Sequence, residues 1–343
     1  MHPPVPNNHP VVVKELPFQK FQYPLEINMK ELVKNITKNG ASDIAPLNVY
    51  PYSYLISSES LCKPIEKVFL LFIIKSAAEN FDQRQAIRET WAKQAYFQKD
   101  VIRHAFLLAR SRNKTTNDLI FMENWMHKDI VKMSFIDGYF NNTYKTTGGI
   151  NWSVKYCPTS RFVMLVDDDV YVSTYNLLEY LHTVPENISD SFFAGAISSD
   201  VPQRGIHQKW YMPVKEYPFK RYPPFLSAGS VIMTMDYVKR LQIAMQFTKS
   251  FKFDDVFLGI VAYKLGVKPI HVPRIKMIKF ISYRNHTFKI ILAAHGYGTP
   301  NELRTAWYHN LRTKLTNDET ILQRSTLDPE HNEPLLKYNV KTS

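Results

Sequence analysis

Cysteine is almost absent. Cys62 and Cys157 are the only two in 343 residues, which leaves at most one disulfide, or two buried free thiols. No stretch reaches the roughly 18 apolar residues that crossing a membrane requires. The longest apolar run, VFLLFII at 68–74, is strand length. The N-terminus, MHPPVPNNHP, lacks the apolar core of a signal peptide, so no export address is visible. There is no arginine-rich run, no zinc-finger spacing and no recognition-helix pattern. Nucleic acid is therefore disfavoured as a partner, although 43 Lys and Arg outnumber 31 Asp and Glu. No internal repeat is present.

What is present describes a packed body. Hydrophobic residues make up 45% and charged residues 22%, values that place the chain among globular proteins. Its length suffices for one large domain or two ordinary ones. The basic excess favours anionic or phosphorylated ligands. Six Asn-X-Ser/Thr sites, at Asn35, Asn113, Asn141, Asn151, Asn187 and Asn285, suit a secretory compartment.

Residues 1–61 carry Pro3, Pro4, Pro6, Pro10, Pro17, Pro24, Pro46 and Pro51. That density opposes long helices and central strands and reads as an extended stem or wrapping segment. Residues 316–343 read as a polar tail. Between them, strands alternate with helices. Strands are expected at 68–76, 101–109, 162–167, 192–198 and 230–234. Helices are expected at 82–94 with Asp82 as cap, 115–130, 174–184 with Ser173 as cap, and 254–266 ending at Gly266. The alternation implies an α/β fold with a mostly parallel sheet and helices on both faces.

Within that pattern, FVMLVDDDVYV at 162–172 drives an apolar strand into three aspartates. In such sheets ligands bind at the carboxyl ends of strands. Carboxylates this close repel unless a cation neutralises them. Mg²⁺ or Mn²⁺ prefers oxygen ligands, takes one or two carboxylates and completes its shell with phosphates. Strand alternation puts Asp167 and Asp169 on one side and Asp168 on the other. Capping the next helix would need one aspartate, and Ser173 is better placed for it. A haloacid-dehalogenase phosphatase would have Thr or Val at position 171, which here is Tyr171. A metal-dependent transferase of nucleotide sugars fits better.

At this point the chain resembles the β-1,3-glycosyltransferases of glycosyltransferase family 31. The resemblance runs over about residues 62–311. It is carried by FLLFIIKS (69–76), RQAIRETW (84–91), DIVKMSFIDGYFNNTYKT (129–146), RFVMLVDDDVYV (161–172), KWYMPVKEYPFKRYPPF (209–225) and DDVFLG (254–259). It implies a GT-A fold in a catalytic domain at 62–315, and inverting transfer of galactose, N-acetylglucosamine or N-acetylgalactosamine from a UDP-sugar to a glycan acceptor. Such acceptors belong to oligosaccharides, glycoproteins or glycolipids.

The residues follow from the motifs. The metal, Mn²⁺ or Mg²⁺, falls to Asp169 first and Asp167 second, with His295 as a further ligand and Asp168 facing away or toward the donor. Asp255 matches the family's catalytic base, and Asp254 stands where the family has Glu, on the acceptor side. Arg84, Arg88 and Lys145 match donor-side positions; an exposed basic helix face and a solvated lysine are the plain alternatives. Trp210, Tyr211, Tyr217 and Tyr222 form an aromatic cluster suited to stacking on sugar faces or to core packing. LSAGSV at 226–231 departs from the family's glycine-rich pattern at Ala228, Ser230 and Val231, which points to altered donor fit or acceptor choice; with Asp254 it motivates the alternative of a weakly active or inactive relative that binds glycans. Cys62 and Cys157 match family cysteines, which implies that they pair. Family members are anchored in the Golgi membrane and act on its lumenal side; no apolar run here supplies that anchor.

Overall fold

The computed structural model describes residues 23, 27–63, 67–97, 99–198, 200–279 and 286–315. The strands in chain order are β1 (Tyr54–Ile56), β2 (Leu70–Lys75), β3 (Ile102–Arg110), β4 (Ile130–Ile136), β5 (Phe162–Asp167), β6 (Val170–Val172), β7 (Phe193–Ser198), β8 (Phe225–Thr234), β9 (Ile270–His271), β10 (Ile275–Lys276) and β11 (Ala293–His295). The helices are α1 (Met29–Asn39), α2 (Phe81–Glu89), α3 (Lys114–His127), α4 (Asn142–Tyr156), α5 (Thr174–His182), α6 (Met235–Gln246), α7 (Asp254–Lys264), α8 (His286–Ile290) and α9 (Pro300–Leu315).

Eight strands form one sheet in the order β1-β4-β3-β2-β5-β8-β7-β9. The central run β4-β3-β2-β5 is parallel, while β8 is antiparallel to both β5 and β7. The α/β layering expected from the alternation is therefore present, with an antiparallel flank. Alternate side chains explain why β2 is apolar throughout. Leu71 and Ile73 enter a core shared with α1, α4, α6 and α7. Leu70, Phe72 and Ile74 enter the opposite core with α2, α5 and α9. A strand buried on both faces has no polar side to show.

Helix α4 approaches the sheet unusually closely. A Cβ on Gly149 would lie 2.3 Å from Leu107 Cδ1 and 3.0 Å from Ile73 Cγ2. Only glycine allows that approach, and it brings the N-terminal turns of α4 up to the site.

Several boundaries differ from the sequence reading. Residues 29–39, inside the proline-dense stretch, form an amphipathic helix whose Met29, Leu32 and Val33 are buried. The chain has no proline between Pro24 and Pro46, so nothing there opposes a helix. β1 then pairs antiparallel with β4, so the segment wraps the body by both helix and strand. β4 was not expected as a strand, because its interior Lys132 and Ser134 interrupt the apolar run. Asp82 lies in the first turn of α2, and Asn80 precedes the helix without a side-chain cap. Ser173 stands before α5, but its hydroxyl bonds Asn310 Oδ1 at 2.9 Å. α7 ends at Lys264, with Gly266 at φ +66° just beyond, a conformation that favours glycine. The tail at 316–343 lies outside the described residues.

Cys62 and Cys157 are joined, with Cα atoms 5.4 Å apart. The bond fastens the segment before β2 to the end of α4. Among the described residues, no helix is long and apolar enough to cross a membrane.

Candidate active site

Two parallel strands end side by side, and their ends begin the site. In the β2–β5 register Lys75 is the partner of Asp167. Lys75 Nζ lies 2.9 Å from Asp167 Oδ1 and 2.7 Å from Asp254 Oδ2. Thr146 Oγ1 donates to the same Asp254 oxygen at 2.8 Å. One buried ammonium thus bridges the aspartate strand and the first turn of α7. Burial alone would lower the Lys75 pKa, but the two carboxylates outweigh it and raise it. Nothing in the sequence reading singled out Lys75. The signal was there: a buried apolar strand that ends in lysine.

After Asp167 the chain turns and pairs elsewhere. β6 joins β11 antiparallel, with Val170 opposite His295. Backbone N–H groups of Gly296 and Tyr297 donate to Asp169 O at 3.1 and 2.8 Å. This small sheet brings His295 Nε2 to 3.1 Å from Asp169 Oδ2. The hydrogen bond to Asp169 raises the His295 pKa. Asp169 Oδ1 is buried and has no hydrogen-bond partner among the described residues, a costly state for a carboxylate oxygen. Asp168 diverges: its Oδ2 accepts from Asn80 Nδ2 at 2.9 Å, and burial raises its pKa.

Among the described residues, no group of three or more His, Cys, Asp or Glu converges as a metal cage. Asp167, expected as the second ligand, is instead held by Lys75. Asp169 and His295 remain. A carboxylate oxygen without a partner beside an imidazole nitrogen fits a divalent ion whose other ligands are phosphate and water.

These groups line two adjoining cavities. The larger, about 800 Å³, is bounded by Asp169, His295, Asp254, Asp255, Trp210 and Tyr222, among others. The smaller, about 420 Å³, is bounded by Ser76, Ala77, Glu79, Asp137, Lys145 and Asp168, among others. Lys75, Tyr139, Asn142, Asp167 and Asp169 face both. Lys145 reaches the smaller cavity as a buried cation, 2.8 Å from Asp137 Oδ1 and donating to Ser76 O at 2.9 Å.

Asp254 and Asp255 are adjacent carboxylates in unlike surroundings. Asp254 is buried, and Lys75 and Thr146 hold its pKa down against that burial. Its Oδ2 is held by Lys75 and Thr146, and the residue lines the larger cavity beside Asp255. Among the described residues, Asp255 accepts only from its neighbour Val256 N, at 2.8 Å. Burial, and then the charge of Asp254, push it up to about 7. Pairs of carboxylates driven apart in this way mark divided acid–base roles.

The aromatic cluster divides. Trp210 is exposed on the larger cavity, and its Nε1 donates to Tyr139 Oη at 2.7 Å. Tyr222 lines the cavity from a mostly buried position. Tyr217 is fully buried in the core. Tyr211 packs near the Lys252 ammonium and does not line the cavity.

Arg84 and Arg88 also require correction. Arg84 is fully buried, with Nη2 2.7 Å from Glu123 Oε2 and Nη1 donating to Ala77 O at 2.7 Å. Arg88 bonds Asp129 at 2.7 Å and Glu123 at 2.8 Å. Neither lines either of the two cavities; both guanidiniums are satisfied by buried carboxylates. Arg84 serves the site indirectly by fixing the 76–78 loop. In the altered stretch, Ser227 and Gly229 face the larger cavity, while Ser230 and Val231 are buried.

The Galactosyltransferase family profile matches residues 82–273. The chain belongs to the galactosyltransferase family. It is similar to the Drosophila melanogaster "Beta-1,3-galactosyltransferase brn", 32% identical over 85% of this chain and 87% of that protein. The human "UDP-GalNAc:beta-1,3-N-acetylgalactosaminyltransferase 1" is 33% identical over 78% of this chain and 81% of its own length. Mouse "Beta-1,3-galactosyltransferase 1" is 30% identical over 76% and 79%. Among solved structures, the galactosyltransferase LgtC, in complex with donor and acceptor sugar analogs, covers 74% of this chain and 99% of its own. Its TM-score is 0.37 at 15% identity, too distant for any of its residues to be read onto this chain. Family membership supports glycosyl transfer by this chain.

Proposed function

We propose that this galactosyltransferase-family enzyme moves a hexose or N-acetylhexosamine, galactose foremost, from a UDP-sugar to the 3-hydroxyl of a glycan with inversion. The observation that carries this reading is Asp255, a carboxylate raised to about 7 on the wall of the larger cavity. A base is most effective when its pKa lies near the working pH.

The smaller cavity suits the nucleotide, beside Lys145 and the 76–79 loop. The larger suits the acceptor, which Trp210 and Tyr222 would meet with apolar ring faces. Asp255 takes the proton of the acceptor hydroxyl. The oxygen attacks C1 of the donor sugar from the face opposite UDP. The C1–O bond to phosphate breaks, and its electron pair leaves with UDP. Asp169 and His295 would hold Mn²⁺ or Mg²⁺, which when bound supplies Lewis-acid charge to the diphosphate. Asp254, held by Lys75, stands beside Asp255 on the cavity wall, and its charge helps keep the Asp255 pKa high. The relatives named for β-1,3 transfer support the linkage, and the Cys62–Cys157 bond supports an oxidising compartment such as the Golgi lumen.

The test is UDP release with Mn²⁺ and a panel of β-galactosides, for the wild type and Asp255→Asn. Turnover in the wild type that is lost in the variant is expected. Equal turnover in both would remove Asp255 as the base. Glycan binding without turnover under any donor would replace catalysis by simple glycan recognition.

A further inference from the structure

Gln83 lines neither cavity, yet it reaches the backbone on which the ion site is built. It lies in the first turn of α2 and is only 5% exposed. Its side-chain amide carries two N–H bonds, and both go to main-chain carbonyls from distant parts of the chain. Nε2 donates to Asp168 O at 2.8 Å and to Tyr297 O at 2.9 Å. The first carbonyl belongs to the peptide that joins Asp168 to Asp169. The second lies two residues beyond His295. Between these two anchors stand the carboxylate and the imidazole that face each other at 3.1 Å.

The two ligand-bearing segments are already paired with each other. Val170 is opposite His295 across β6 and β11. The chain then turns at Gly296, whose φ of +97° favours glycine, and the N–H groups of Gly296 and Tyr297 donate to Asp169 O. Those bonds join the segments only to one another. Gln83 adds a third element, because it fastens both to α2. That helix is itself well anchored: Ala86 and Ile87 share a core with Phe72 and Ile74 of β2, and Arg84 holds Ala77 O and Glu123. Asn80, just before α2, adds a bond to Asp168 Oδ2 at 2.9 Å. The arrangement has a cost. Gln83 Oε1 is buried without a hydrogen-bond partner among the described residues, which an apolar side chain would avoid. A buried orphan atom of this kind calls for an explanation, and the two carbonyls served by the same amide supply one.

We infer that Gln83 is a positioning residue for the divalent ion. It fixes Asp169 and His295 relative to each other and to the sheet by holding the backbone beside each, and it acts through that backbone rather than by contact with the ion or the sugar. The inference rests on the proposed use of Asp169 and His295 as ligands. With two protein ligands, both must face one point, and groups that orient ligands typically contribute about 10–100-fold in metal affinity.

The experiment is Mn²⁺ titration of the full chain in the presence of UDP, followed by loss of the free-ion electron paramagnetic resonance signal, with the metal-free unfolding temperature measured alongside. Gln83→Met, Gln83→Asn and Asp169→Asn are compared with the wild type. Methionine removes both donors at similar volume. Asparagine keeps the amide but is one methylene too short to serve both carbonyls, and it carries the test if the methionine variant does not fold. Asp169→Asn should lose Mn²⁺ uptake. Each Gln83 variant should bind Mn²⁺ at least about tenfold more weakly, and turnover that it loses at limiting Mn²⁺ should return when Mn²⁺ is saturating. A purely structural role would lower the metal-free unfolding temperature and leave the Mn²⁺ affinity of the folded protein unchanged. That result, with uptake lost in Asp169→Asn, overturns the role of Gln83 and spares the metal site. Equal uptake by wild type and Asp169→Asn, or no uptake by wild type, overturns the metal site and the role of Gln83 with it.

Discussion

Replacing Asp255 by asparagine should abolish turnover and stabilise the protein, and the two effects share one cause. The folded state raises this carboxyl from the ordinary 3.8 to about 7. Folding therefore favours its protonated form. Below pH 3.8 the group costs the fold nothing. As pH climbs from 3.8 to 7, the unfolded chain releases this proton more readily, and stability falls. At 1.36 kcal/mol per pH unit the ceiling on that loss is about 4 kcal/mol. Asp255 is half-buried rather than sealed, and solvent screening reduces the figure to about 1–2 kcal/mol. Asparagine cannot ionise, so the variant should escape the loss. Unfolding followed at pH 4.5 and pH 8 should show the variant gaining about 1–2 kcal/mol on the wild type between the two, or about 3–6 °C for a domain of this size. In the same preparation turnover should fall by about 10²–10⁴, the usual contribution of a general base. In the wild type, kcat/KM should rise with pH through a midpoint near 7. A variant that retains turnover, or that loses stability with pH as steeply as the wild type, would refute the assignment.

Other positions give independent checks. Gly149→Ala should cost about 1–3 kcal/mol by urea unfolding, because the new methyl has no room against Leu107 and Ile73. Lys75→Met leaves Asp167 and Asp254 buried without their cation and should cost about 3–5 kcal/mol at pH 8. That loss should shrink toward pH 5, where Asp167, already raised to about 6 by burial, is largely protonated. Cys62→Ser should cost about 2–5 kcal/mol, because the bond closes a separation of 95 residues; wild type treated with reductant should unfold at the same denaturant concentration as the variant.

The sequence made some of this legible and hid the rest for physical reasons. The buried strand 162–167 was readable because continuous apolar residues need cover on both faces, and its end carries unlike chemistry. Asp169, Asp255 and His295 stood at element ends, where a sheet of this kind gathers its ligands. α1 was obscured by prolines on either side of a stretch that itself has none. β4 was obscured by Lys132, whose ammonium lies over the Phe121 ring and so satisfies a residue that reads as a strand breaker. Arg84 and Arg88 were misread because helical spacing shows that two cations share a face, but not which carboxylates await them. Glu123 on α3 and Asp129 just before β4 lie some 40 residues further on, and only the fold brings them against α2. The same limit applies to Lys75, whose partners are 92 and 179 residues away by the numbering.

The Lys75 bridge has an evolutionary consequence. A single ammonium serves a carboxylate on the β5 strand and a carboxylate on the α7 turn, so substitutions at Asp167 and Asp254 are coupled in their effects. Losing either acid alone leaves the lysine half-paired, and the second loss acts on a site already altered. Substitutions at the two positions should therefore be strongly epistatic. Sequence drift that is neutral elsewhere in the chain would have to change Lys75, Asp167 and Asp254 together, or leave all three alone.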